Sequence, residues 1–97
     1  MSMPYTVVYR SDVKVHVKDS KIWYRNQKVG LEKIFIAALK DGVVRIQNNP
    51  EAFAVRYRNV RIAHTYRFPF SIHFYIEKGN QRIVITNIIH DYRDAEY

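Results

Sequence analysis

The repeat distance of the apolar residues changes once along this chain, and that change constrains the fold more than any other feature. From residue 11 to 48 apolar side chains return every three to four positions, and from residue 52 to 90 they return every second position. The first spacing keeps one face of a helix apolar; the second keeps one face of a strand apolar. The switch falls at Asn48, Asn49 and Pro50. Proline disfavours helical geometry in the residue before it and cannot continue the helical ladder itself.

Residues 4 to 10, PYTVVYR, are β-branched and aromatic and predict an N-terminal strand, with Pro4 at the position where a missing N–H does least harm. Ser11 is placed to cap a helix in which Val13, Val17, Ser20, Tyr24 and Gln27 share one face, flanked by His16 and Trp23. Val13, Val15 and Val17 also alternate, so a strand is the rival reading, but the polar DSK and RNQ interruptions favour the helix. Trp23 and Tyr24 are expected in the core. Gly30 separates a second helix with Leu31, Ile34, Phe35, Ala38, Leu39 and Ile46 as its apolar stripe and Glu32, Lys33 and Lys40 exposed.

Three runs of β-formers follow, with turns at Arg58-Asn59 and at Lys78-Gly79-Asn80. The order β-α-α-β-β-β predicts one α+β domain over residues 1–97. A two-helix hairpin would pack on one face of an antiparallel sheet of about four strands, leaving the other face partly open. In the strand over residues 70–76, Phe70, Ile72, Phe74 and Ile76 should face the core, and Ser71, His73 and Tyr75 the open side. In residues 83–90, strict alternation places Ile83, Ile85, Asn87 and Ile89 inward and Val84, Thr86, Ile88 and His90 outward.

The chain has 97 residues, enough for a core without crosslinks, and no cysteine, which excludes a disulfide framework and a thiolate metal site and fits the cytoplasm. No apolar run approaches the roughly 20 residues that cross a bilayer, and the first residues lack a signal-peptide layout, so the chain is expected to begin as it stands, with no membrane partner. Sixteen Lys and Arg against nine Asp and Glu give a net charge of +7, which favours an acidic partner. Between Ala52 and Ile76 there is no acidic residue, while Arg56, Arg58, Arg61, Arg67, His64 and His73 all lie there.

Glycine-rich phosphate loops, HExxH and close carboxylate pairs are missing, so no cofactor or metal is expected and small-molecule enzymology is poorly supported. What remains is a set of bases and aromatics, among them Arg61, Tyr66, Tyr75, His90, Tyr92 and Arg93. Such residues can cleave RNA without metal, Arg stabilising phosphate charge while His or Tyr moves protons. They can equally clamp phosphates or an acidic peptide with no chemistry, and their spacing alone favours that simpler reading. His90 by itself reads as a hydrogen-bonded structural residue. Asp91, Arg93 and Asp94 read as a solvated charge run. The octet RFPFSIHF, residues 67–74, reads as mainly structural, with Pro69 at the start of a strand.

Taken in order, WYRNQKVGLEKIF at 23–35, QNNPEAF at 47–53, VRIAHTYRFPFSIHFYI at 60–76 and IVITNIIHDYRD at 83–94 resemble the RelE/ParE superfamily of type II toxin–antitoxin toxins. The resemblance implies a small cytoplasmic toxin, related to plasmid stabilisation proteins and held in a hetero-oligomer by an antitoxin until proteolysis frees it. RelE-like members cut messenger RNA on the ribosome; ParE-like members inhibit DNA gyrase and are not nucleases. The FPF at 68–70 leans ParE-like, since RelE-like chains often carry an arginine there in a YRL or HRL pattern. Gyrase is the favoured target, and the chain leans towards not being an enzyme. The alternative is a metal-independent endoribonuclease using Arg61, His90 and Tyr92; a further alternative is a degenerate, antitoxin-binding member without toxicity. On any of these readings the target- or antitoxin-binding residues are Arg56, Arg58, Arg61, Arg67, His73, His90 and Arg93.

Overall fold

The computed structural model describes residues 5–92. Strand β1 (Thr6–Tyr9) leads into helices α1 (Ser11–Gln27) and α2 (Leu31–Asn48), followed by β2 (Val55–Tyr57), β3 (Val60–His64), β4 (Phe70–Glu77) and β5 (Arg82–His90). The two-helix hairpin on a sheet is as the periodicity predicts. The sheet has five strands in the order β1-β5-β4-β3-β2. It is mixed rather than wholly antiparallel, because β1 pairs with β5 in parallel, Val7 opposite Ile83.

The breaks between elements have local causes. Gly30 joins the helices at φ 92, in the left-handed region that glycine enters without a Cβ penalty. Asn49 has left helical geometry before Pro50, which opens a short 3-10 turn. Arg58 at φ 51 turns β2 into β3, and Lys78–Asn80 turns β4 into β5. Ser11 is the first residue of α1 rather than its cap; Arg10 holds the cap position without a side-chain bond.

The core lies between the hairpin and one sheet face. Val13, Ser20 and Tyr24 come from α1, and Phe35, Leu39, Val43 and Ile46 from α2. Tyr24, Phe35, Phe68 and Phe70 form an aromatic cluster with centroids 4.9 to 6.3 Å apart. Three expectations are corrected here. Trp23 is 43% exposed, its ring lying edge-on against Tyr24, and Ile34 is 41% exposed, because the buried stripe of α2 runs one position away through Phe35. Glu32 is buried, in the first turn of α2, where the helix dipole favours a negative charge.

Strand β5 departs from strict alternation. His73 pairs with Asn87 but Phe74 pairs with Ile85, so Thr86 has no opposite residue and forms a bulge. Alternation is reset beyond it. Ile83, Ile85 and Ile88 share the core with Ile72, and Asn87 and Ile89 lie opposite His73 and Ser71 on the other face. The outward placement of Ile88 and His90 and the inward placement of Asn87 and Ile89 are therefore both reversed.

Candidate functional site on the sheet face away from the helices

Cross-strand pairing assembles the site. Tyr57 pairs with Val60, Ile62 with His73 and His64 with Ser71, which brings three strands' polar side chains onto the face that the helices leave uncovered. The expected parity of β4 holds: Phe70, Ile72 and Phe74 belong to the core, while Ser71 and His73 point to the far face. That face is more enclosed than expected, since Ser71 and His73 are both fully buried.

Two polar groupings sit side by side. The Tyr57 hydroxyl and His73 Nδ1 share a 2.7 Å hydrogen bond with the rings tilted across each other, and Thr86 Oγ1 donates to the His73 carbonyl at 3.4 Å. Next to them, Ser71 Oγ donates to Asp91 Oδ1 and lies 3.1 Å from His64 Nδ1, which is itself 3.9 Å from Asp91 Oδ2. Arg45 fixes the end of β3 from behind. Its guanidinium donates to the His64 carbonyl at 2.8 Å, bonds Asp41 at 3.3 Å and lies 4.1 Å from the centre of the Tyr66 ring.

Burial pushes the His73 imidazole below its ordinary 6.5; Asp91 opposes that shift and His64 adds to it. His73 is therefore neutral at pH 7. Its folded-state value lies below its unfolded one, so between the two the unfolded chain holds the extra proton. This contribution is complete above pH 6.5 and is lost as the pH falls below it. Urea midpoints should therefore drop between neutral and mildly acidic pH, by less in His73→Gln than in the wild type. Equal slopes for the two proteins would refute the assignment.

The arginines expected on this face do not gather there. Arg61 pairs with Phe74, on the helix-packed side, and donates to the carbonyls of Phe53 at 2.6 Å and Glu51 at 3.3 Å, closing the segment after α2. Arg58 lies in the β2–β3 turn, and Arg56 is the exposed residue at the irregularity in β2. Arg67 occupies the β3–β4 loop at φ 73, where Phe68 N–H donates to the Tyr66 carbonyl at 2.9 Å across it, a γ-turn of the rarer positive-φ kind. The register puts Arg82 on the far face, but it pairs with Glu77 at 2.7 Å.

His90 is held in the way the sequence reading of a hydrogen-bonded structural residue expects. It pairs with Phe70 and meets that ring edge-on at 5.1 Å, and its Nδ1 accepts the Tyr92 N–H at 3.2 Å. Tyr92 is 83% exposed. Arg61 is level with Phe74 and His90 with Phe70, four residues apart on β4, about 13 Å along the strand. Arg61 and His90 are therefore not neighbours in the register, and Tyr92 follows β5 in the turn. Arg93 lies outside the described residues. Pro69 stands just before β4, its carbonyl accepting the Asp91 N–H at 2.8 Å, and the octet is structural as read.

Ser71 and Asp91 were missed by sequence reasoning. Ser71 lies in the middle of an apolar run and Asp91 beside other charges, and only the pairing of β3, β4 and β5 joins them. Chemically the grouping is a poor nucleophile centre. Ser71 donates its hydrogen bond to Asp91, a weak base, rather than to His64, so the three do not form a Ser–His–Asp relay. Tyr57 and His73, joined by a 2.7 Å hydrogen bond, could move a proton between them.

No known family and no curated protein matches the sequence at a significant level. Solved structures do. A chain of the toxin–antitoxin complex RelBE2 from Mycobacterium tuberculosis superposes with a TM-score of 0.66 at 15% identity, covering 91% of this chain and 99% of that one. A chain of the chromosomal ParDE TA system from P. aeruginosa gives a TM-score of 0.70 at 21% identity, covering 92% of this chain and 98% of that one. This chain has the RelE/ParE fold. The resemblance carried by the WY, GL, NP and FPF markers therefore extends to the arrangement of helices and strands.

Proposed function

We propose that the chain is the toxin of a type II toxin–antitoxin pair, neutralised by a cognate antitoxin, and that it arrests growth by binding DNA gyrase rather than by cutting messenger RNA. The RelE/ParE fold over more than nine-tenths of the chain supports the toxin reading. The observation that favours binding over cleavage is the placement of Arg61 on the helix-packed side, its Nη1 held 2.6 Å from the Phe53 carbonyl, where it serves as a structural cap. Under this reading His73 and His90 support the fold, while Arg56, Arg58 and Arg67 are exposed cations that meet the target or the antitoxin. The toxin acts in the cytoplasm and is stored as a hetero-oligomer.

Two assays on one expressed protein test the proposal. Plasmid supercoiling by gyrase should be inhibited and restored by the antitoxin, with no codon-register cuts in translated messages by primer extension. Cuts that disappear in Tyr57→Phe or His73→Gln would replace the gyrase reading with the ribonuclease one. Antitoxin capture by a basic surface should also slow with added salt, since screening contracts to about 8 Å at physiological ionic strength.

A further inference from the structure

The strongest unassigned feature is electrostatic and lies on the helical hairpin, on the opposite side of the molecule from the sheet site. Lys14, Lys18, Lys21 and Arg25 follow one another on α1 at spacings of four, three and four, and all are exposed. At 3.6 residues per turn they fall within an arc of about 60° and extend over about 16 Å of helix. The acids of α1, Asp12 and Asp19, project roughly 140–160° away from Lys14. None of the four cations has an ion pair among the described residues. Across the seam, Lys33 and Lys40 of α2 line the same groove as Lys21. Packed helices lie about 8–10 Å apart, so α2 adds a second cationic row beside the first.

We infer that this face of the hairpin binds the phosphate backbone of double-stranded DNA without reading its sequence. A duplex presents one negative charge per about 1.7 Å of axis, so a 16 Å row of cations meets phosphates along its whole length. Lysine dominates the face, and its mobile point charge suits contacts that fix no register, whereas arginine forks would suit bidentate ones. An acidic protein segment is the other anionic partner to weigh. Seated in the apolar groove between the helices, it would be reached by Lys14 and Lys40 at that groove's edge, while Lys18 and Arg25 line neither groove. Only an extended polyanion engages the full row. The inference rests on α1 and α2 and is independent of the toxin reading.

The test is fluorescence anisotropy of the purified full chain with a labelled duplex of mixed sequence, titrated across salt. The wild type should bind at about 50 mM salt, with log affinity falling against log salt at about 0.9 per phosphate neutralised. The triple variant Lys18→Glu, Lys21→Glu, Arg25→Glu, checked for folding by circular dichroism, should lose at least tenfold in affinity, and its salt slope should fall by about three. The charge-matched variant Arg56→Glu, Arg58→Glu, Arg67→Glu should lose less than about threefold. Equal losses in the two triples, no duplex binding at low salt, or tighter binding of a labelled acidic amphipathic peptide than of the duplex would each overturn the inference.

Discussion

Phe70→Ala should come close to unfolding the protein. The ring is 1% exposed, stands 4.9 Å from Phe35 and 6.3 Å from Tyr24, and supports His90 edge-on at 5.1 Å. Removing it deletes a shared wall of the aromatic cluster and leaves a cavity bounded by two helices and two strands that cannot all collapse inward. Such truncations cost about 3–5 kcal/mol. Small domains are stable by only about 5–15 kcal/mol, so most of the margin is at stake. At about 4–8 °C per kcal/mol the melting temperature should fall by more than about 12 °C. Val29→Ala, at a position 92% exposed, should change stability by less than about 0.5 kcal/mol. A loss under about 1 kcal/mol for Phe70→Ala would remove the cluster from the centre of the fold.

The second large effect concerns the bulge. Ile88 is 3% exposed and packs in the core opposite Ile72, although simple alternation from Ile83 and Ile85 sends it outward. Ile88→Asp should therefore abolish cooperative folding, because an uncompensated carboxylate among apolar side chains costs more than about 4 kcal/mol. Deleting Thr86 should be far milder. It removes the unpaired residue and leaves Asn87 to His90 on the faces they already occupy. Urea unfolding of the two variants decides the matter: a folded Ile88→Asp alongside an unfolded Thr86 deletion would mean that strand β5 is regular and Ile88 faces outward.

These two residues also mark where the sequence was legible and where it was not. Phe70 was assigned to the core from alternation with Ile72 and Phe74, and the helical stripes of Val13, Tyr24, Phe35 and Leu39 followed from their spacing. Each signal was local and apolar. The bulge left no trace, because β-branched residues populate both sides of β5 and neither glycine nor proline marks the irregular position. Trp23 misled for the opposite reason: its bulk suggested burial, but it lies beyond the arc of α1 that meets the sheet.

The candidate site was less legible than the fold. Positive charge concentrated between residues 52 and 76 suggested a single cationic sheet face, yet a strand alternates sides and its turns point elsewhere. Arg61 went to the helix-packed side, Arg58 and Arg67 into turns. The polar grouping that did form joins His64 and Ser71 from two strands with Asp91 from the turn after β5, a relation that only pairing register reveals. The hairpin cations show the converse. Their four-three-four spacing is fully visible in the sequence, and it gained meaning once α1 was placed with that arc facing solvent.

The parallel pairing of β1 with β5 has a consequence for how the protein is made. Thr6 must wait for Arg82, and Val7 for Ile83, so β1 is made well before the strand it pairs with. The helical hairpin, built from near neighbours in the chain, can form while synthesis is under way; a pairing across such a sequence separation is slow and comes only afterwards. A nascent chain interrupted before residue 82 therefore displays an unclosed sheet edge, because β1 has no partner until β5 exists.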